Sequence, residues 1–217
     1  MSKTLAEQTQ DTVEAFIGGL PEEVQQTVGG VMQRLMSSNI TDNASNVGDK
    51  APEFSLPNVK GGDTTLSELL ESGPVVLSFY RGGWCPFCNL EFKALHDKLP
   101  EMQALGATLV GISPEALAVS QQTAQDNALE FEVLSDVGNK VIDQYGLVMK
   151  VPEVIRPLYL EWGLDIPTFN GEDTWELPIP ATYVINTDGK IVSAYVNKNY
   201  TERMEPDDIV EVLETLK

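Results

Sequence analysis

Hydrophobic positions follow two regimes along the chain. Over residues 1–40, Leu5, Val13, Phe16, Ile17, Val24, Val28, Val31, Leu35 and Met36 recur at three- and four-residue spacings, the period of a helix with one apolar face. Gly18-Gly19-Leu20-Pro21 breaks this run into two helices, with Gly29-Gly30 a further weak point. The polar stretch from Thr41 to Asn46 reads as a linker. From Val47 onward, short apolar runs alternate with helical patterns. Strands are expected at about 75–80, 107–112, 131–134, 181–186 and 191–196, and helices at about 88–104, 115–127, 138–146 and 206–216.

Strand alternating with helix predicts a mainly parallel sheet covered on both faces. The last two strands depart from that pattern: Thr187-Asp188-Gly189-Lys190 joins them, and Asp-Gly signals a tight hairpin. The order is therefore β-α-β-α-β-α, an interruption, then β-β-α. The fold class is α/β, with a helical extension and linker over 1–46 and one main domain over 47–217. The interruption, about 148–178, holds Pro152, Pro157, Tyr159, Trp162, Pro167, Phe169, Trp175 and Pro178. A connection this long is either a surface insertion with short helices or a lid or apolar wall beside a site. The N-terminal helices pack either on the main domain or on a second subunit, which leaves a homodimer open.

A chain of 217 residues suffices for one sizeable core plus an appendage. Its 14 basic and 33 acidic residues give a net charge of −19, which repels nucleic acid and anionic membrane, so neither is an expected partner. No apolar run is long enough for a membrane-crossing helix, and Met1 to Gln8 lacks the basic-then-apolar layout of a secretory signal. With only two cysteines there is no disulfide framework, and the expected location is the cytoplasm.

Those two cysteines carry the chemistry. Cys85-Pro86-Phe87-Cys88 lies between the apolar strand Val75–Tyr80 and a helix beginning Asn89-Leu90-Glu91-Phe92. The free N–H groups and dipole of a helix N-terminus stabilise an anion, and a thiolate is that anion. An ordinary thiol, with a pKa of about 8.5, is only about 3% thiolate at neutral pH, so a lowered pKa separates a nucleophile from an inert cysteine. Zinc takes about four ligands, and beyond the cysteines the chain offers only His96, so no metal or organic cofactor is expected. His96 reads as a surface or satisfied helix residue. Glu91 shares a helix face with Cys88 and reads as complementing the first helical turn, with proton shuttling as the alternative. Arg81 is either an electrostatic helper at the thiols or half of an ion pair, and Trp84 either flanks the site or packs beside the turn.

Several stretches in order resemble the alkyl hydroperoxide reductase/thiol-specific antioxidant (AhpC/TSA) family. They are Val47 to Leu56, Ser78 to Glu91, Val110-Gly111-Ile112-Ser113-Pro114 and Trp175 to Ile185, so the resemblance runs from about residue 47 to the end. It implies a thioredoxin-like fold, a central mixed β-sheet flanked by helices. It also implies thiol-dependent reduction of hydroperoxides with electrons from a thioredoxin- or glutathione-type donor. In the family register the peroxide-attacking cysteine falls at Cys88 and the preceding threonine at Cys85, the resolving thiol here. The family's proline falls at Arg81, a candidate helper, and its later arginine before Thr182 is missing, with Pro180 nearby.

Trp84-Cys85-Pro86-Phe87-Cys88 also resembles the thioredoxin motif, in which the first cysteine attacks and the proline matching Pro180 is cis. Trp84, Pro180 and Thr182 are then expected to shape the substrate site. Two mechanisms stay open on this evidence: reduction of a peroxide led by Cys88, and reduction of a disulfide led by Cys85. A third reading is a redox-sensing binding module switched by the Cys85–Cys88 disulfide.

Overall fold

The computed structural model describes residues 3–217. Two helices, α1 (Leu5–Gly18) and α2 (Glu22–Met36), come first. The Thr4 hydroxyl accepts the Glu7 N–H while the Glu7 carboxylate accepts the Thr4 N–H, a reciprocal cap that starts α1. A short hairpin, β1 (Ser55–Pro57) with β2 (Asp63–Thr65), leads into α3 (Leu66–Ser72). The main units follow: β3 (Val75–Phe79), α4 (Pro86–Ala104), β4 (Thr108–Ser113), α5 (Leu117–Asp126), β5 (Glu132–Ser135) and α6 (Lys140–Gln144). The interruption holds β6 (Val148–Lys150), a short 3₁₀ turn, α7 (Arg156–Glu161), α8 (Ile166–Asn170) and β7 (Glu176–Pro178). The chain ends with β8 (Ala181–Ile185), β9 (Ile191–Val196) and α9 (Pro206–Glu214).

The central sheet has the order β5-β4-β3-β8-β9. β3, β4 and β5 run parallel, and β8 pairs antiparallel with both β3 and β9, so the sheet is mixed. Central strand β3 is buried along its whole length, which is why its sequence is a near-continuous apolar run. Its side chains alternate between two cores. Val75, Leu77 and Phe79 face Phe54, Leu66, Tyr145 and Tyr183. Val76 and the following Tyr80 face α4 and α9 through Phe92, Leu95, Ile209 and Leu213. Each fully buried side chain of this size contributes about 1.5–3 kcal/mol of burial free energy.

The interruption is structured. β6 and β7 pair antiparallel, and a third apolar cluster of Met149, Val151, Ile155, Tyr159, Ile166 and Leu177 is covered by Val28, Val31 and Leu35 of α2. The N-terminal helices therefore pack on the main domain. Glu205, just before α9, accepts the free N–H groups of Leu5 (3.1 Å) and Ala6 (2.7 Å), and Phe16 meets Trp162 edge-to-face at 5.4 Å. No helix among the described residues is long and apolar enough to cross a membrane.

Pro180 differs from expectation. The described residues contain no cis peptide bond. The chain passes in extended form from β7 through Ile179-Pro180 into β8, with the Ile179 N–H donated to the Leu147 carbonyl at 2.7 Å, and a trans bond suits that path.

Candidate active site

The site begins where β3 ends. Arg81-Gly82-Gly83-Trp84 turns the chain from the C-terminal end of the central strand to α4, Cys85 is the N-cap, and Pro86 occupies the first turn, where its missing N–H costs nothing. Gly82 has φ +149, and a Cβ there would lie 2.2 Å from Trp84 Nε1 and 2.9 Å from Glu115 Oε1. Gly82→Ala is therefore expected to cost about 2–4 kcal/mol through backbone strain and overpacking, read as a lower midpoint in urea unfolding. The Glu115 carboxylate pins the same turn by accepting the Gly83 N–H at 3.0 Å.

Both cysteines are free thiols, and both are buried. Their settings differ. Cys85 lines a cavity of about 120 Å³ together with Arg81, Trp84, Phe87 and Tyr159. Cys88, at 0% exposure, sits inside the core beneath it. Burial pushes the Cys85 thiol up. A hydrogen bond with the Cys88 thiol, the Arg81 and Arg203 guanidiniums and the Cys88 backbone N–H outweigh that, and together bring it down to about 6. Burial and the neighbouring Cys85 push Cys88 well above its ordinary value. A helix N-cap, where backbone N–H groups converge, is the place for the anion of such a pair.

Arg81 is buried and donates from Nη2 to the Tyr159 hydroxyl at 2.9 Å. Its guanidinium lies over Tyr200 at 4.2 Å and Trp84 at 5.1 Å. It pairs with no carboxylate among the described residues, so its charge is directed at the thiols and the aromatic wall.

Arg203 had no signal in the sequence. It lies in the loop between β9 and α9 and is 6% exposed. Its Nε donates to Glu91 Oε2 at 2.8 Å, its Nη1 donates to the carbonyls of Tyr200 and Glu202, and its Nη2 lies 3.7 Å from Cys88 Sγ. Glu91 therefore does not complement the first turn of α4. The helix starts at Pro86, so residue 91 lies beyond that turn and faces inward with Cys88. Burial raises the Glu91 carboxyl to about 7 despite the Arg203 charge.

Trp84 is half-buried, packs against Tyr159 at 6.4 Å and leaves its Nε1 buried without a partner. Ala181 pairs with Phe79, so Pro180 and Thr182 lie at the end of the sheet where the cysteine turn starts. Both are buried, and neither lines the cavity at Cys85. His96 lies two turns beyond Cys88 on α4. It is half-buried, with its Nδ1 buried and without a hydrogen-bond partner. Tyr159 belongs to the aromatic interruption noted in the sequence, whereas Tyr200 and Glu115 had no signal there.

A dithiol at the N-terminus of a helix, on a mixed sheet flanked by helices and facing a small cavity, defines a thiol-dependent oxidoreductase of thioredoxin-like fold. The AhpC/TSA family model matches residues 47–194, and the chain belongs to that family. It is 29% identical to a chloroplastic peroxiredoxin Q of Sedum lineare over 170 residues, 78% of each chain. It is 28% identical to peroxiredoxin Bcp of Escherichia coli over 149 residues, 69% of this chain and 84% of that one. Among solved structures, peroxidoxin BcpB of Mycobacterium tuberculosis superposes with a TM-score of 0.62 at 24% identity. It covers 79% of this chain and 98% of its own, a likeness of fold.

Proposed function

We propose that this peroxiredoxin-like thiol peroxidase attacks hydroperoxides with Cys85 and resolves with Cys88. The observation that carries the order is access combined with charge: Cys85 stands at the N-cap position, opens into the cavity and has the lowered thiol, while Cys88 has none of these features. The family register favours the opposite order, with Cys88 attacking.

In the first step the Cys85 thiolate attacks the near oxygen of the hydroperoxide. The S–O bond forms as the O–O bond breaks, Cys85 becomes a sulfenic acid, and the departing alkoxide takes a proton to leave as alcohol, or as water from hydrogen peroxide. Arg81, fixed by Tyr159 and the two aromatic faces, offers positive charge beside the oxygens as that charge develops. In the second step Cys88 sulfur attacks the Cys85 sulfur. The S–S bond forms, the S–O bond breaks, and the hydroxyl leaves with the Cys88 proton as water. Arg203, beside Cys88 Sγ, stabilises the thiolate that attacks. A thioredoxin- or glutathione-type dithiol or thiol then returns two electrons by exchange through a mixed disulfide. The compartment that fits this cycle is one with a reducing thiol pool, such as the cytoplasm.

Reduced protein mixed with hydrogen peroxide in a stopped-flow instrument tests the reading. The second-order rate is expected to exceed that of free cysteine. It should rise with pH through about 6 as the Cys85 thiolate forms and level off above about 7. A rate no better than free cysteine at every pH, alongside rapid reduction of a protein disulfide, would replace peroxide reduction with disulfide reduction.

A further inference from the structure

Glu115 lies between β4 and α5 and is 1% exposed. It forms no ion pair among the described residues, so it is a buried carboxylate without a cation. Such a group is costly to bury unless its oxygens are hydrogen-bonded, and here both are. Oε1 accepts the Gly83 N–H at 3.0 Å and Oε2 accepts the Thr123 hydroxyl at 3.2 Å. Its backbone is fixed as well: the Glu115 carbonyl accepts the Ser135 hydroxyl at 2.6 Å and the Ser120 hydroxyl at 3.3 Å. Strand β5 and helix α5 thus hold it rigidly behind the cysteine turn.

The other polar group of Gly83 is held too. Asn89, in α4, donates from Nδ2 to the Gly83 carbonyl at 3.0 Å. A Cβ on Gly83 would lie 2.3 Å from Thr123 Oγ1, so the turn is pressed directly against α5. Two residues on, the Cys85 N–H donates to the Gly82 carbonyl at 3.1 Å, which carries the constraint to the N-cap.

We infer that Glu115 is a positioning residue of the dithiol: with Asn89 it clamps Gly83 and so fixes Cys85 at the N-cap, where the free N–H groups of α4 converge. The titratable groups that feel its charge are Tyr80, at the end of β3, and Cys88, on α4. A negative charge disfavours a nearby thiolate, so the charge of Glu115 opposes thiolate formation while its hydrogen bond to the turn favours it at Cys85. The two effects have opposite signs and can be separated. The inference rests on Cys85 being the acidic thiol of the proposed cycle.

The test titrates the ultraviolet absorbance of the thiolate in the full-length reduced protein, which needs no peroxide, and then measures the hydrogen peroxide rate at pH 6. Glu115→Leu removes clamp and charge together. Its first thiolate step is expected to move from about 6 to about 7 or above, with the peroxide rate at pH 6 falling about fivefold or more. Glu115→Gln keeps an oxygen for the Gly83 N–H, and the Thr123 hydroxyl can accept from its amide, so the step should return to about 6 or below. Asn89→Ala releases the other side of Gly83 while favouring the helix, and should move the step upward even if Glu115→Leu fails to fold. A step left in place or lowered by both Glu115→Leu and Asn89→Ala would overturn the clamp. So would a step raised as far by Glu115→Gln as by Glu115→Leu. A native step near 6 that responds to the variants as expected, in a protein no faster with hydrogen peroxide than free cysteine, would uphold the clamp and overturn the peroxidase reading instead.

Discussion

Arg203→Met is expected to destabilise the protein by about 3–5 kcal/mol, because it leaves the Glu91 carboxylate buried without its cation. The Arg203–Glu91 pair is buried on both sides, at 2% side-chain exposure each, so little solvent is available to rescue the survivor. Adding Glu91→Leu removes the orphaned charge and should recover most of the stability, since a buried ion pair replaced by apolar groups is often near neutral. Catalysis should not recover with it. Arg203 Nη2 lies 3.7 Å from Cys88 Sγ, and the Cys88 thiol is already pushed up by burial. Without the guanidinium the resolving thiolate forms less readily, so the double variant should accumulate sulfenic acid and form the disulfide at least about tenfold more slowly. Urea unfolding reads the first effect, and trapping of the sulfenic acid with dimedone over time reads the second. Recovery of both stability and resolution in the double variant would reduce Arg203 to a structural role.

Arg81→Leu should act on the other thiol. Burial alone raises Cys85, and Arg81 is the first guanidinium among the groups that bring it down to about 6. With leucine in its place, the rise of peroxide reactivity should move from about pH 6 toward the ordinary thiol value of about 8.5. At pH 6 the rate should fall by about tenfold or more, with a smaller loss at pH 9 where the thiolate forms in either protein. Arg81→Lys keeps the charge but loses the guanidinium over Tyr200 and the Nη2 hydrogen bond to Tyr159, so partial recovery is expected. A profile unmoved by Arg81→Leu would remove Arg81 from the thiol electrostatics.

The five strands of the central sheet were legible because each is a short apolar run bounded by turn residues, and β3 shows this most plainly. The helical extension was legible from its three- and four-residue period. β1, β2, β6 and β7 were not: each has three residues, too few to show alternation, and their pairing is set by the surrounding chain. At the site, local geometry could be read. The cysteine spacing between a strand and a helix placed the dithiol at a helix N-terminus, and Glu91 was placed on the Cys88 face. Its partner Arg203 lies 112 residues away, in a loop with no motif, and only the packing of α9 against α4 brings the two together. The absence of a carboxylate partner for Arg81 was equally invisible, because a chain with 33 acidic residues offers a partner almost everywhere except inside this aromatic pocket. The cis isomer expected at Pro180 came from resemblance to the thioredoxin motif, and the β7–β8 passage follows a different path.

In the proposed cycle the two cysteines divide the work, with Cys85 first. Single-turnover oxidation of Cys85→Ser and Cys88→Ser by one equivalent of hydrogen peroxide, with the sulfenic acid located by mass spectrometry, tests it most directly. Cys88→Ser is expected to react at close to the native rate and stop as a sulfenic acid on Cys85, while Cys85→Ser loses rapid oxidation by about a thousandfold or more. Rapid oxidation of Cys85→Ser with the sulfenic acid on Cys88 would contradict it and assign the attack to the buried thiol beside Arg203.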